Sequence, residues 1–322
     1  MTHAMFAACF AMLATIAAGP PVLSELRRRK LGKGHDEDAP AEYASKVGTP
    51  VMGGIIFLIA IVLAALLFAV PRDSDTLVPL LAMLAAAALG AFDDFQTLVG
   101  RGKMDAHVPW FWMVKWAVLL GIGAAVFIYL YAALDFEHAV VPHFGAYSLG
   151  ILYVPVAIVV FVAATSGAAI TDGMDGLMAG VSAIAFAAYG AIAMTQGQEG
   201  LATFAFIVAA AAAAFLWFNA YPAQVFMGDT GAQALSVGLV VVAFMTGWWL
   251  LLPVIGAVFV LEGASDVLQI GHYKLKGTRI LRRAPIHYHF QLGGWPETVV
   301  VARFWLIGLF GAFAGIALAY VE

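Results

Sequence analysis

Carboxylates lie beside glycines or beside each other at three separated points of the sequence. They are the pair Asp93-Asp94, the turn Thr171-Asp-Gly-Met-Asp-Gly176 with Asp172 and Asp175, and Asp229 in Met227-Gly-Asp-Thr-Gly231. Adjacent carboxylates repel each other, and a cation between them relieves the repulsion. Mg²⁺ takes such oxygen ligands and usually binds phosphate oxygens at the same time. Glycines let a backbone approach a ligand closely, so the pattern favours a magnesium and phosphate site.

Each of these carboxylates also has a structural interpretation. The pair Asp93-Asp94 could mark a solvated helix end. Asp172 and Asp175 lie three apart, so they share one face if their turn opens a helix, and there they could complement its dipole. Asp229 precedes an apolar run and could be an N-cap. Taken singly, Asp229 favours the cap, and the other carboxylates leave both interpretations open.

Basic and imidazole side chains accompany the carboxylates. Lys46 precedes a glycine-rich turn, and Lys115 lies within an apolar run, where an ionisable residue is a functional candidate by default. His287 and His289 lie in the polar stretch Arg283–Glu297 of a chain with only 11% charged residues. Most other basic residues are interpreted as topology signals or contacts to lipid headgroups.

The composition indicates a polytopic membrane protein. Apolar residues make up 63% of the 322 residues and the mean hydropathy is +0.93, whereas globular proteins are about half apolar. The first apolar run, Met1–Leu23, lacks a basic leader and is followed by Arg27–Lys30, which predicts a retained helix with its N-terminus outside. Cys9 is the single cysteine, which excludes an intramolecular disulfide. We expect one integral membrane domain over residues 1–322.

Hydropathy predicts an all-α fold of about ten membrane-spanning helices, at about 20 residues a span. The predicted spans are 2–24, 50–70, 77–98, 110–132, 150–169, 177–195, 201–218, 232–247, 250–272 and 298–320. Of 16 lysines and arginines this leaves only Arg72 in an outer loop, as the positive-inside rule requires. Both termini are then outside. The inner segments are 25–49, 93–109, 170–176, 219–231 and 273–297.

Two segments carry local irregularities. Glu262 and Asp266 interrupt the ninth span, which is therefore predicted to be broken or bent. The outer loop Asp135–Leu149 could hold a small hairpin.

All three groups of carboxylates fall on the inner, cytoplasmic face under this topology. A random distribution would divide them between the two faces, so their convergence favours the functional interpretation. The implied substrate is a phosphate ester, because Mg²⁺ at such sites usually binds phosphates.

Five motifs in order then resemble a known family. They are Lys46-Val-Gly-Thr-Pro-Val-Met-Gly-Gly54, Asp93-Asp94, Thr171-Asp-Gly-Met-Asp-Gly176, Asn219 with Pro222-Ala-Gln-Val-Phe-Met-Gly-Asp-Thr-Gly231, and Ala284-Pro-Ile-His-Tyr-His-Phe290 with Gly294-Trp-Pro-Glu297. Over nearly the whole chain, the sequence is similar to the phospho-N-acetylmuramoyl-pentapeptide transferases. These are bacterial polyprenyl-phosphate N-acetylhexosamine-1-phosphate transferases of glycosyltransferase family 4.

The resemblance implies a fold, a reaction and a location. The family has ten transmembrane helices with both termini outside, in the bacterial inner membrane, and its active site faces the cytoplasm. Its members transfer phospho-MurNAc-pentapeptide from UDP-MurNAc-pentapeptide to undecaprenyl phosphate, giving lipid I and UMP, and require Mg²⁺. The partners implied are these two substrates and membrane lipid, with no nucleic acid. The oligomeric state is left open, a homodimer included.

The resemblance also implies residue roles. Asp229 would be the Mg²⁺ ligand, with Asp93 and Asp94 as a catalytic pair of which one deprotonates or positions the lipid phosphate. Phe226 would stack on uracil. His287 and His289 would bind the pyrophosphate or sugar. The other residues expected to bind substrate are Lys46, Thr49, Lys115, Asp172, Asp175 and Asn219.

Departures from the family pattern keep the donor open. Ser166 and Ala169 lie where asparagines are common, and Tyr288 replaces the middle one of three histidines. The nearest alternative is transfer of another UDP-sugar phosphate, such as GlcNAc-1-phosphate, to the same lipid. A remote alternative is an ion-coupled transporter, with Glu262 and Asp266 on a cation path. The sequence does not distinguish direct attack from a covalent intermediate.

Overall fold

The computed structural model of the protein describes residues 1–29, 31–32, 46, 48–98 and 109–320. Lys30 and large parts of two predicted inner segments, at 33–45 and 99–108, lie outside the described residues. The described part is a bundle of helices with one small β-hairpin. The prediction of an all-α polytopic membrane protein is confirmed.

The helices follow the predicted spans closely. In chain order they are α1 Thr2–Arg28, α2 Gly54–Ala64, α3 Leu77–Leu98, α4 Pro109–Leu134, α5 Tyr153–Ala169, α6 Leu177–Thr195, α7 Glu199–Asn219, α8 Gly228–Met245, α9 Leu252–Ile255, α10 Ala257–Lys276, α11 Ile286–Gln291 and α12 Glu297–Tyr320. Within the described ranges, eight helices are long and apolar enough to cross a membrane, and the pair α9 and α10 forms a ninth candidate. The predicted second span is shorter, because its apolar helix covers only Gly54–Ala69.

Both expected irregularities are present. Helices α9 and α10 are bent by 81°, and the break lies at Gly256, so the charged residues Glu262 and Asp266 follow it without causing it. The outer loop forms a hairpin of β1 His138–Val141 and β2 Gly145–Ser148.

Helix α8 is the centre of the bundle, and all its residues from Thr230 to Met245 are buried. A helix that is apolar on every side needs neighbours all round. Glycines let them approach closely. A Cβ added at Gly90 of α3 would lie 2.0 Å from the backbone oxygen of Asp229, and one at Gly54 of α2 would lie 2.4 Å from Cα of Gly231. Small residues have this role in membrane helix packing generally.

Contacts between connecting segments separate the bundle into two ends. The hairpin end has the pairs His3–Phe68, Arg72–Glu199, His138–Trp249 and Ile255–Gly315. The carboxylate end has the pairs Lys46–Asp175, Gly53–Phe226, Lys115–Asp229 and Gly173–Tyr288. The start of α1 and the end of α12 therefore lie at the hairpin end. All three groups of carboxylates lie at the other end, as the predicted topology requires.

We expect Gly90→Ala to destabilise the protein by about 1–3 kcal/mol, because its methyl group has no space beside the backbone of α8. The measurement is the thermal unfolding midpoint in detergent. Gly121→Ala in α4 is the matched control, since an added Cβ there has nothing within 4 Å. Equal midpoints for the two variants would contradict the close packing of α3 on α8.

Candidate active site

A cavity of about 960 Å³ lies at the carboxylate end. Most of the side chains expected from the sequence line it, namely Lys46, Asp93, Asp94, Lys115, Asp172, Asp175, Asn219, Phe226 and Asp229. Thr49, His287 and His289 are not part of its lining. Segments far apart in sequence thus meet at one site.

Asp94 caps the N-terminus of α8. One carboxylate oxygen accepts from the backbone N–H of Asp229 at 2.9 Å, and the other accepts from the backbone N–H (2.9 Å) and hydroxyl (2.6 Å) of Thr230. The interpretation of Asp229 as an N-cap is therefore wrong, because Asp229 already lies in the first turn of α8. Gly228, with φ +71°, leaves the space in which the carboxylate of Asp94 lies.

Lys115 joins the other two carboxylates of this cluster. Its ammonium group donates to Asp93 Oδ2 and, at 3.0 Å, to Asp229 Oδ2. The side chains of Lys115 and Asp93 are 17% and 18% exposed, whereas that of Asp229 is 38% exposed. Asp229 is therefore the carboxylate of this cluster that is most accessible to a ligand in the cavity.

Lys46 is the centre of a second charged cluster. Its ammonium group donates to Asp175 Oδ1 and to Glu297 Oε1, both at 2.7 Å. Glu297 Oε1 also accepts from the backbone N–H of Asp175 at 2.8 Å. Burial acts to lower the pKa of Lys46, but the hydrogen bonds to Asp175 and Glu297 and the attraction to their charges together outweigh it, so the pKa is raised. Lys46 is thus held as a cation at neutral pH.

The turn that carries Asp172 and Asp175 is not helical. Helix α6 begins only at Leu177, so the condition under which the two carboxylates would share a helix face is not met. Asp175 instead accepts from the backbone N–H of Ala223 at 3.0 Å. The turn is held by Asn219, whose Oδ1 accepts from Gly176 N at 3.1 Å.

The side chain of Asn219 and the main chain of Thr49 both hydrogen-bond to backbone oxygens. Asn219 Nδ2 donates to the backbone oxygen of Val225 at 2.9 Å. The Thr49 N–H donates to the backbone oxygen of Lys46 at 3.3 Å. The backbone of Phe226 pairs with Pro50 and Gly53 at 2.8 Å each, which brings the first and fourth motifs together.

Phe226 itself lines the cavity, with its ring centroid 5.8 Å from Nζ of Lys46. Stacking of this ring on uracil stays a prediction.

The three residues of the histidine motif point to different surroundings. His287 is fully buried, and its Nδ1 lies 2.9 Å from Glu262 Oε2. Tyr288 lines the cavity, and its hydroxyl donates to the backbone oxygen of Gly173 at 3.3 Å. His289 Nδ1 accepts from the backbone N–H of Arg282 at 3.1 Å. Of this motif, the residue that forms the expected cavity wall is therefore Tyr288, the one that differs from the family pattern.

Sequence reasoning missed Glu297 as a partner of Lys46 and treated Glu262 and Asp266 as candidates for a cation path. Glu297 follows a proline at the start of an apolar run, where an acid is also expected to complement a helix dipole. Asp266 lines the cavity. Glu262 is buried against His287.

The donor set suits a divalent cation bound jointly with phosphate. The described residues hold no group of three or more His, Cys, Asp or Glu side chains arranged as a metal cluster. Mg²⁺ at phosphate sites commonly takes one or two carboxylates and completes its shell with phosphates and water. Asp93 and Asp229 already share one cation, the ammonium group of Lys115. Asp229, the more exposed of the two carboxylates, is the residue that could hold Mg²⁺ there.

Comparison with known proteins identifies the family. Residues 76–247 match the model of glycosyl transferase family 4. The chain is 39% identical to the phospho-N-acetylmuramoyl-pentapeptide-transferase of Chloroflexus aurantiacus, over 100% of this chain and 90% of that protein. Its identity to the enzyme of the same name from Moorella thermoacetica is also 39%, over 99% of both chains. The chain therefore belongs to glycosyl transferase family 4, and within it to the phospho-N-acetylmuramoyl-pentapeptide transferases.

Proposed function

We propose that this membrane transferase moves phospho-MurNAc-pentapeptide from UDP-MurNAc-pentapeptide to undecaprenyl phosphate, giving lipid I and UMP. The observation that carries the proposal is the ammonium group of Lys115, which binds both Asp93 and Asp229 in a cavity that Lys46 also lines. Carboxylates and lysines that alternate around one cavity suit a substrate with phosphates and a bound cation. The names of the relatives support the choice of donor.

In this reaction an oxygen of the lipid phosphate attacks the β-phosphorus of the donor, and the bond from that phosphorus to the bridging oxygen breaks. UMP leaves with the bridging oxygen. Asp93 would position the lipid phosphate or take its proton. Lys115 and Lys46 would neutralise phosphoryl oxygens, because catalysis of phosphoryl transfer consists mainly of positioning and charge stabilisation.

Asp229 would hold Mg²⁺, with Asp93 beside it. Bound there, the metal would supply positive charge to the pyrophosphate oxygens. The proposed location is the bacterial inner membrane with the cavity facing the cytoplasm, because the positive-inside rule assigns the basic loops to that side.

Three departures from the family pattern line the cavity, and for this reason a second donor is kept as an alternative. Ser166, Ala169 and Tyr288 all line the cavity, and the hydroxyl of Ser166 is used within its own helix, donating to Val162 O at 2.6 Å. Fewer polar groups than usual therefore face the ligand there. The alternative is transfer of GlcNAc-1-phosphate from UDP-GlcNAc to the same lipid.

We expect purified protein with undecaprenyl phosphate and Mg²⁺ to release UMP from labelled UDP-MurNAc-pentapeptide and to form a labelled lipid product. The same assay with UDP-GlcNAc separates the two donors. Turnover of UDP-GlcNAc alone would replace the proposed function by the alternative.

We expect Asp229→Asn to lower kcat by roughly 1,000-fold, because the amide keeps the shape of the side chain and removes the charge that holds the metal. The measurement is UMP release over a range of Mg²⁺ concentrations. Asp75→Asn, the same change at the hairpin end, is the control and should leave kcat unaltered. Wild-type Mg²⁺ dependence in Asp229→Asn would show that the metal is held elsewhere.

We expect Lys46→Met to lower kcat/KM for the donor by about 100-fold. Without the ammonium group, the carboxylates of Asp175 and Glu297 face each other and the turn beside the cavity loses its anchor. Lys274→Met removes an exposed lysine near the same end of the bundle and should have little effect. Similar losses in the two variants would mean that general positive charge, and not this cluster, matters.

A further inference from the structure

A buried acid and a buried imidazole face each other behind the active site. Glu262 of α10 and His287 of α11 are both fully buried, with Oε2 and Nδ1 2.9 Å apart. Among the described residues, Glu262 Oε1 and His287 Nε2 have no hydrogen-bond partner. Ionisable groups are costly to bury in an apolar bundle. Neither side chain lines the cavity.

The imidazole ring supports the turn that carries two of the cavity carboxylates. A Cβ added at Gly173 would lie 2.2 Å from His287 Nε2, so the turn rests directly on the ring. Tyr288 adds the hydrogen bond from its hydroxyl to the backbone oxygen of Gly173. Gly173 lies between Asp172 and Asp175, and all three line the cavity. The ring is therefore behind the turn, and the ligand space is in front of it.

Two other polar residues on the same face of α10 have a different task. Ser265 Oγ accepts from the backbone N–H of Ile286 at 2.9 Å. Gln269 Oε1 accepts from the backbone N–H groups of Ile280 and Leu281 at 3.1 and 3.0 Å. These residues attach the backbone of the loop to α10. Glu262 is the member of this stripe that contacts the histidine side chain.

We propose that Glu262 is a positioning residue, which holds His287 against Gly173 and so fixes the turn that presents Asp172 and Asp175 to the donor. A buried carboxylate that accepts from one ring nitrogen sets the orientation of an imidazole, as in other enzyme sites. Glu262 touches neither substrate and acts through His287. The inference rests on the proposed function, because it assigns the supported turn to donor binding.

The test compares full-length variants in detergent by donor affinity, from calorimetry with the UDP-sugar, and by KM for each substrate. Glu262→Ala should weaken donor binding by about tenfold, the loss of one buried hydrogen bond. KM for undecaprenyl phosphate should stay as in the wild type. Glu262→Gln retains an acceptor for Nδ1 and should recover most of the donor affinity. Equal loss for both substrates, or no recovery with glutamine, would overturn the proposal.

Gln269→Ala is the matched control, because it loosens the same loop without touching His287. Donor affinity as weak in Gln269→Ala as in Glu262→Ala would overturn the proposal in favour of general loosening. His287→Ala should show the same selective loss, and the double variant with Glu262→Ala should be no weaker than the worse single variant. Additive losses would show that the two residues act separately. If Glu262→Ala does not fold, wild-type donor affinity in His287→Ala would be the overturning result.

The wild-type protein separates this inference from the proposed function. Its turnover identifies the donor, and the donor affinity of each variant is then compared with that of the wild type for the UDP-sugar that the protein uses. Turnover of UDP-GlcNAc alone by the wild type would overturn the proposed function. Wild-type donor affinity in Glu262→Ala, measured with the donor that the protein uses, would overturn the positioning role of Glu262.

Discussion

The carboxylate of Asp94 at the N-terminus of α8 is the interaction on which the site depends. The first N–H groups of a helix lack partners within it, and α8 begins inside the protein, where an unpaired donor is costly. Asp94 satisfies two of these groups and the hydroxyl of Thr230. Because successive residues of a helix point about 100° apart, the neighbouring Asp93 is directed elsewhere, to Lys115. One carboxylate of the pair thus caps α8, and the other binds Lys115 at the cavity.

Two lysines, each held between two carboxylates, form the charged interior of the cavity. Lys115 joins Asp93 to Asp229, and Lys46 joins Asp175 to Glu297. Partly buried carboxylates would repel each other without these cations, so each cluster keeps its geometry before any ligand binds. Such preorganisation is what phosphoryl transfer requires, since the protein contributes position and charge.

The histidine motif shows how one short helix divides its residues among different tasks. His287 is buried against Glu262, Tyr288 faces the cavity, and His289 binds the backbone at Arg282. Adjacent residues of a helix cannot share a direction. A substitution at Tyr288 therefore changes the cavity wall directly, whereas one at His287 acts through the Gly173 turn. The departure at position 288 thus lies at the cavity.

The sequence by itself determined the membrane class, nearly every span, the hairpin and the segments that carry the site. Hydropathy and charge are sums over neighbouring residues, so they can be read without knowledge of distant contacts. Only the tertiary structure decided which side chains contact each other at the site. Lys46 and Glu297 lie 251 positions apart, and the capping of α8 by Asp94 and the burial of His287 depend on how each helix is rotated about its axis. That rotation is set by close packing at residues such as Gly90 and by the bend at Gly256, which no local pattern contains.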